Sequence, residues 1–384
     1  MLDQLKAQTP FDVAIAGGGP AGCATALALA RRGHRCLVVE KSSYADLRVG
    51  ETLPAAVRRL LIDLGAWERF MAAGFIPAHV IAAIWGADRA HENAAIFDPY
   101  GHGWHIDRQR FDRLLAQAAV DAGVTLAQQA RITSSDIDDR GLWRLRIDSA
   151  GSACDARARM LVDATGRAAC IARRMGARRI CADRLVGLTG FFRRPGSDIA
   201  RNIPMLVEAV EDGWWYSAPL PDRRLAVAYL TDADLAGNRA AGVSKRFLGQ
   251  LERASRTSAR LRECHWDDGP KACAANSSYS SPMCAGHWVA VGDAAMAFDP
   301  LASQGVYRAL GSGLQAAAAI EQHWGGDPNA LKDYERRLIA DFDRYLAQRR
   351  HFYRLERRWP KQEFWRRRQG SNRKTPAGRH SGWA

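Results

Sequence analysis

No apolar run in the 384 residues approaches the ~20 that a helix needs to cross a bilayer. Residues 1–10 do not place a basic start, an apolar stretch and a cleavage site in series, so no secretory signal is expected and the chain is read as cytoplasmic. The eight cysteines are scattered singly at Cys23, Cys36, Cys154, Cys170, Cys181, Cys264, Cys273 and Cys284, without a CxxC pair. No histidine stands with them at ligand spacing, so no metal site is expected. Buried, reduced thiols suit a cytoplasmic protein. There is no internal repeat of fixed period and no nucleic-acid-binding motif. Lysine is absent between Lys41 and Lys245.

What is present is ordinary for a soluble globular protein: 47% hydrophobic and 25% charged residues, in a chain long enough to bury a full core. The net charge of +14 is unevenly placed. Residues 344–384 hold 13 Lys or Arg against Glu356 and Glu363, a balance of +11, which leaves +3 for everything before them. Such a segment fits docking to an acidic partner protein better than it fits nucleic acid.

Residues 11–16 read as a short apolar strand, 17–22 as a glycine turn, 21–32 as an Ala/Leu-rich helix closed by Gly33, and 35–40 as a second strand. Together they form a βαβ unit. Helices are expected over 54–73, 110–122, 306–322 and 329–358, and strands over 124–127, 142–147, 160–164 and 287–291. Residues 185–230 alternate like antiparallel strands, broken by prolines. Gly311 and Gly313 fall inside a helix and are read as close-packing positions.

Gly17-Gly18-Gly19-Pro20-Ala21-Gly22 satisfies GxGxxG after a strand and before a helix, with Glu40 closing the second strand. That context points to a dinucleotide. Gly17, Gly19, Pro20, Ala21 and Gly22 let the backbone approach a pyrophosphate at a helix N-terminus. Glu40 is expected to accept from ribose hydroxyls, with Lys41 beside it, and its carboxylate disfavours a 2′-phosphate. A second strand meets small residues at Val291-Gly292-Asp293-Ala294, followed by Asp299-Pro300 and Gly305-Val306. Asp293 is suited to a ribityl hydroxyl.

These two elements, with Leu161-Val162-Asp163-Ala164-Thr165-Gly166-Arg167 between them, resemble the FAD-dependent aromatic hydroxylases and the related flavin-dependent tryptophan halogenases. Arg108 in Arg108-Gln109-Arg110-Phe111-Asp112 resembles the family's flavin-contacting arginine, and Arg48-Val49-Gly50-Glu51 its segment beside the isoalloxazine. The resemblance implies an α/β fold: a Rossmann-like FAD-binding domain with an inserted antiparallel-sheet substrate domain and a C-terminal helix. The FAD-binding domain is expected over 1–75, 106–175 and 280–325, and the substrate domain over 76–105 and 176–279. A helical segment over 326–369 and a basic, disordered tail over 370–384 would follow. The resemblance adds Arg48, Gly50, Arg108, Asp163, Gly166, Gly292, Pro300, Gly305 and Val306 to the cofactor-binding set. Asp163 also fits a strand-end carboxylate that caps the next helix.

It further implies a monooxygenase that uses FAD, oxygen and either NAD(P)H or a separate reductase, and acts on an electron-rich aromatic through a flavin C4a-hydroperoxide. No second Rossmann fingerprint marks a nicotinamide site. Glu51, His105 and Tyr216 are the candidate catalytic residues, and Trp85, Trp104, Trp214, Trp215 and Tyr216 the candidate walls for a flat substrate. The run Gly213-Trp214-Trp215-Tyr216-Ser217-Ala218-Pro219 is similar to a halogenase segment. The halogenases' substrate-side lysine belongs in a stretch resembling residues 74–86, where Ala78 and His79 stand instead, so halogenation is not expected. The alternatives are a halogenase without that lysine and a geranylgeranyl-reductase-like FAD reductase. Residues 48–54, 99–105, 214–221, 299–305 and 358–368 are most similar to the flavoprotein maturases of cysteine-tryptophylquinone oxidases. That resemblance implies a tryptophan side chain of a precursor protein as substrate and the basic tail as a docking element.

Overall fold

The computed structural model describes residues 9–94, 100–149, 151–196, 203–236 and 242–370; the expected disordered tail lies outside them from 371 onward. Strand β1 (Phe11–Ala16) sits at the centre of an eight-stranded sheet, between β2 (Cys36–Glu40) and β11 (Ser152–Asp163), both parallel to it. β2 is almost continuously apolar because helices and neighbouring segments cover both of its faces. β8 (Thr125–Gln128) extends the parallel sheet beyond β2, and β20 (Trp288–Ala290) extends it beyond β11, with β19 (Cys284–Ala285) at that edge. The strand expected over 160–164 is the end of the 12-residue β11. The first half of β11 pairs with β10 (Trp143–Ser149), which in turn pairs with β9 (Ala130–Ile137), both antiparallel.

Helix α1 (Pro20–Ala30) follows the glycine turn and packs on α8 (Gly305–Trp324). A Cβ on Gly313 would meet the Ala21 carbonyl oxygen at 2.6 Å, so only glycine allows that approach, as the spacing of small residues suggested. The single helix expected over 54–73 is two, α2 (Val57–Asp63) and α3 (Trp67–Ala72). Gly65, at φ +68°, ends the first in the left-handed conformation that closes many helices. α4 (Arg108–Asp121) is capped by Asp107, whose carboxylate accepts from the Arg110 amide at 3.1 Å. The short α5 (Cys170–Arg174) follows β11.

The second large sheet has seven strands in the order β17 (His265–Ala274), β13 (Leu185–Arg193), β16 (Arg224–Asp232), β15 (Gly213–Pro219), β14 (Met205–Val210), β5 (Val80–Ile84) and β6 (His91–Ala94). It is antiparallel except where β14 runs parallel to β5, because β5 arrives from an earlier part of the chain. One face is covered by α6 (Val243–Leu251) and α7 (Ser255–Leu261). The other meets α9 (Ala330–Leu355) and α10 (Glu363–Gln369). A three-stranded sheet of β3 (Thr52–Leu53), β7 (Gly103–His105) and β4 (Ile76–Ala78) ties three loops together. Another, of β12 (Arg178–Cys181), β18 (Ser278–Ser281) and β21 (Met296–Ala297), links the two large sheets. No described helix is long and apolar enough to cross a membrane.

Candidate cofactor and active site

The glycine turn is dictated by steric room. Gly17 has φ +109°, and a Cβ there would lie 2.3 Å from the Ala164 carbonyl oxygen. A Cβ on Gly22 would lie 1.9 Å from the Gly17 carbonyl oxygen. Pro20 occupies the first turn of α1, where its missing N–H costs nothing. No side chain caps that helix, so its first amides stay free to bind an anion.

A cavity of about 940 Å³ begins at this turn, a volume suited to a large ligand. It reaches from Glu40, Lys41, Asp46 and residues 130–133 at the β2–β8 edge of the parallel sheet to the seven-stranded sheet. Of the expected cofactor residues, Gly17, Gly19, Pro20, Ala21, Glu40, Lys41, Arg48, Gly50, Arg108, Gly166, Asp293, Pro300, Gly305 and Val306 line it.

Gly22, Asp163 and Gly292 do not line it. Gly22 and Gly292 act behind the wall, Gly292 at φ +56° with its Cβ direction 2.7 Å from the Ala21 Cβ. Asp163 is fully buried. One carboxylate oxygen accepts from the Thr165 amide at 3.0 Å and its hydroxyl at 2.6 Å, and the other from the Ala172 amide at 2.8 Å. The assignment of Asp163 to cofactor contact is therefore corrected: its side chain caps the turn and helix after β11.

Glu40 lines the cavity but is also an internal brace. Oε2 accepts from the Gly18 amide at 2.7 Å, and Oε1 from the Ser42 amide and hydroxyl at 2.9 and 2.6 Å. A carboxylate has about four acceptor positions, so capacity remains for a ligand hydroxyl. Asp112, 1% exposed, holds two of the cavity-wall arginines, Arg48 and Arg108. Arg108 meets it through two bonds of 3.0 Å and also donates to the Val49 carbonyl at 2.7 Å, while Arg48 meets it at 3.2 Å. Arg167, whose Nε lies 3.5 Å from Asp293, donates to the Phe298 carbonyl at 3.0 Å. Sequence reasoning quoted Asp112 and Arg167 inside motifs without assigning them a role. Their arginine–carboxylate complement was the signal available.

The three candidate catalytic residues converge. The Tyr216 hydroxyl donates to Glu51 Oε2 at 3.1 Å and lies 3.1 Å from Thr52 Oγ1, which lies 3.2 Å from His105 Nδ1. Glu51, Thr52 and Tyr216 line the cavity; His105, 1% exposed, stands behind Thr52. Burial, reinforced by the Arg260 charge, lowers His105 to about 4, so its imidazole is neutral at physiological pH. Burial raises the Glu51 carboxyl against the pull of the Gly50 and Glu51 amides, Tyr216 and Arg108.

The proposed aromatic wall needs correction. Only Tyr216 among its five members reaches the cavity. Trp214 and Trp215 are fully buried in cores on opposite faces of the sheet. Trp104 packs edge-on against Trp67 and Phe70, and Trp85 against Tyr353 and Trp365. The sheet side of the cavity is instead paved by Thr189, Ala226, Ala228, Leu230, Cys273, Ala274 and Ala275. Among the described residues Lys41 is the only lysine on its wall.

This arrangement can hold an extended dinucleotide along the glycine turn and a second group under the sheet. A family model described as an FAD binding domain matches residues 10–340. A "Putative FAD-dependent oxidoreductase LodB" from Marinomonas mediterranea is 28% identical, over 93% of this chain and 96% of that protein. A tryptophan 2-halogenase from Chondromyces crocatus is 27% identical over 90% of this chain and 68% of its own. Among solved structures, the flavin-dependent halogenase CmlS has a TM-score of 0.84 at 26% identity, covering 95% of this chain and 68% of that one. The peptidyl tryptophan dihydroxylase QhpG, described as essential for tryptophylquinone cofactor biogenesis, has a TM-score of 0.75 at 26% identity, covering 94% of this chain and 79% of that one.

Proposed function

The chain belongs to the FAD-binding domain family and is an FAD-dependent oxidoreductase, and on that premise we propose that it hydroxylates an electron-rich aromatic, a tryptophan side chain of a precursor protein. The observation that carries this reading over halogenation is the chemistry of the cavity wall. Among the described residues its sheet side offers no ammonium to hold an activated halogen; it presents mostly small side chains, the Tyr216 phenol and the Glu51 carboxyl. The end-to-end match to the oxidoreductase LodB and the likeness to the peptidyl tryptophan dihydroxylase QhpG support the same choice.

In this reading the glycine turn and the α1 N-terminus hold the FAD pyrophosphate, and Glu40 and Lys41 lie at the adenosine end. Gly50, Arg108, Asp293, Pro300, Gly305 and Val306 surround the ring end. Arg48 keeps the segment before Gly50 tied to Asp112. Bound FAD supplies oxygen activation, with electrons from NAD(P)H or a separate reductase. The small residues of β16 and β17 leave room for a bulky indole and exclude water from it. The exposed Arg354 in the last turn of α9 and Arg357 just after it dock an acidic segment of the precursor, whereas Arg358, Arg367 and Arg368 are engaged in internal ion pairs.

Oxygen uptake by the photoreduced, FAD-loaded protein, with and without tryptophan-containing peptides, tests this. A peptide product heavier by one oxygen atom is expected. Bound flavin with unchanged oxygen consumption and no product would defeat the hydroxylase reading, and a chloride-dependent product would establish halogenation instead.

A further inference from the structure

Glu51 is 2% exposed and lies on the wall of the cavity, yet its Oε1 makes no hydrogen bond among the described residues. A buried carboxyl oxygen left without a partner is destabilising unless something met in function satisfies it. Every other part of the group is held. Oε2 accepts from Tyr216, the Glu51 carbonyl accepts from the Ile106 amide at 2.7 Å, and Thr52 pairs with His105 across β3 and β7. The geometry leaves one buried carboxyl oxygen without a partner on a residue that lines the cavity.

We propose that Glu51 is the proton donor to the group bound in this cavity, acting through Oε1, and that Thr52 and His105 are positioning residues that hold the Tyr216 hydroxyl on Oε2. This rests on the FAD reading of the site. In the step, the O–H bond at Oε1 breaks and the proton passes to an electronegative atom of the bound group. The charge left on Glu51 is met by the Tyr216 hydroxyl and faced by the Arg108 guanidinium. Water restores the proton when the ligand leaves.

The groups around Glu51 suit this role. Arg108 on α4 is itself neutralised by Asp112, and Tyr216 on β15 and Cys273 on β17 are held protonated by burial. His105 on β7 is kept neutral by burial and by Arg260 on α7. Of these, only Arg108 brings a charge that faces the carboxyl, and burial outweighs its attraction, which shifts Glu51 toward the protonated form.

Two measurements on the full chain test the proposal. In pH-difference infrared spectra, the FAD-free protein should show a carboxyl titrating above the ordinary carboxylate range that Glu51→Gln removes. Tyr216→Phe and Thr52→Val should move its titration to higher pH, and Thr52→Ser should restore it. Reduction of oxygen takes up protons, so reoxidation of the photoreduced holoenzyme should vary over the same pH range. Glu51→Gln should slow it about 100-fold and flatten the profile, the lower end of what a positioned acid contributes. FAD binding and melting temperature of each variant show that it is folded.

A carboxyl band that survives Glu51→Gln, or a reoxidation profile unchanged by it, overturns the role of Glu51. Thr52→Val behaving as the parent overturns the positioning role. A chain that takes up no FAD defeats the cofactor reading while leaving the infrared titration interpretable. One that reoxidises as expected but yields no oxygenated product defeats only the hydroxylase reading.

Discussion

Trp214 and Trp215 are adjacent in the chain and belong to different cores. Alternation along β15 sends Trp214 toward Tyr353, Phe364 and Trp365, and Trp215 toward Tyr229 and Phe247 on the opposite face. The Trp215 face is closed by large stacked rings: Trp215 lies 5.0 Å from Tyr229 and 4.9 Å from Phe247. The Trp214 face keeps its rings at one end and gives way to Ala226, Ala228 and Ala275 over the cavity. One sheet thus serves as ballast on one side and as a ligand wall on the other. The wall is made by omitting bulk rather than by supplying it.

The comparison breaks most sharply at Trp215. Trp215→Ala should lower stability by about 3–5 kcal/mol in denaturant unfolding, because nothing nearby can fill the space. The cavity face carries its stability in polar groups, and pH should reveal this. His105 stays neutral in the fold down to about 4, whereas in the unfolded chain it titrates near the ordinary imidazole value of 6.5. As pH falls between those values the unfolded state binds a proton that the fold refuses, so stability is lost toward acid. At ~1.4 kcal/mol for each pH unit the loss reaches ~3 kcal/mol, and His105→Gln should remove most of it from a pH series of melting curves.

Tyr353→Phe should cost about 1–3 kcal/mol, since the phenol accepts from Trp214 Nε1 at 3.0 Å and donates to Asp299 Oδ2 at 2.7 Å, leaving two buried groups unpaired. As Asp299 opens the loop that carries Pro300 into the cavity, FAD affinity in an equilibrium titration should weaken with it. Ala228→Leu should change stability least, by less than about 1 kcal/mol, because the new bulk enters open space rather than a packed core. It should abolish turnover of a bulky aromatic while leaving FAD binding intact. Equal losses of stability at Ala228 and Trp215 would erase the distinction between the two faces.

How far the molecule was legible follows the range of the interactions involved. The first strand, glycine turn and helix were readable because Pro20 and Gly22 act on residues within about one turn of themselves and Gly17 stands at a fixed spacing before them. Gly313 was readable as a packing position because a glycine deep in a helix weakens it without another purpose. The break at Gly65 was missed because the apolar pattern of 57–64 carries on past it. Alternation along β15 named the residues of the strand but not which face would hold the cavity, so Trp214 and Trp215 were placed on its wall, as were Trp85 and Trp104 from other segments. Asp163 was taken for a ligand contact because a carboxylate at a strand end serves a cap and a cofactor equally well in one dimension. The contact of Thr52 with His105 joins residues more than 50 positions apart, and no local signal announces it.

The crossing of α1 and α8 at Gly313 also has a consequence in time. The dinucleotide turn is made long before the segments that complete it: β1 can pair with β2 early but lacks its second partner until β11 is made, and α1 lacks its floor until residue 313. At ~5–20 residues per second, that interval of nearly 300 residues lasts roughly 15–60 seconds. Throughout it the fingerprint recognisable at once in the sequence belongs to a half-built sheet, and a motif made early is completed late.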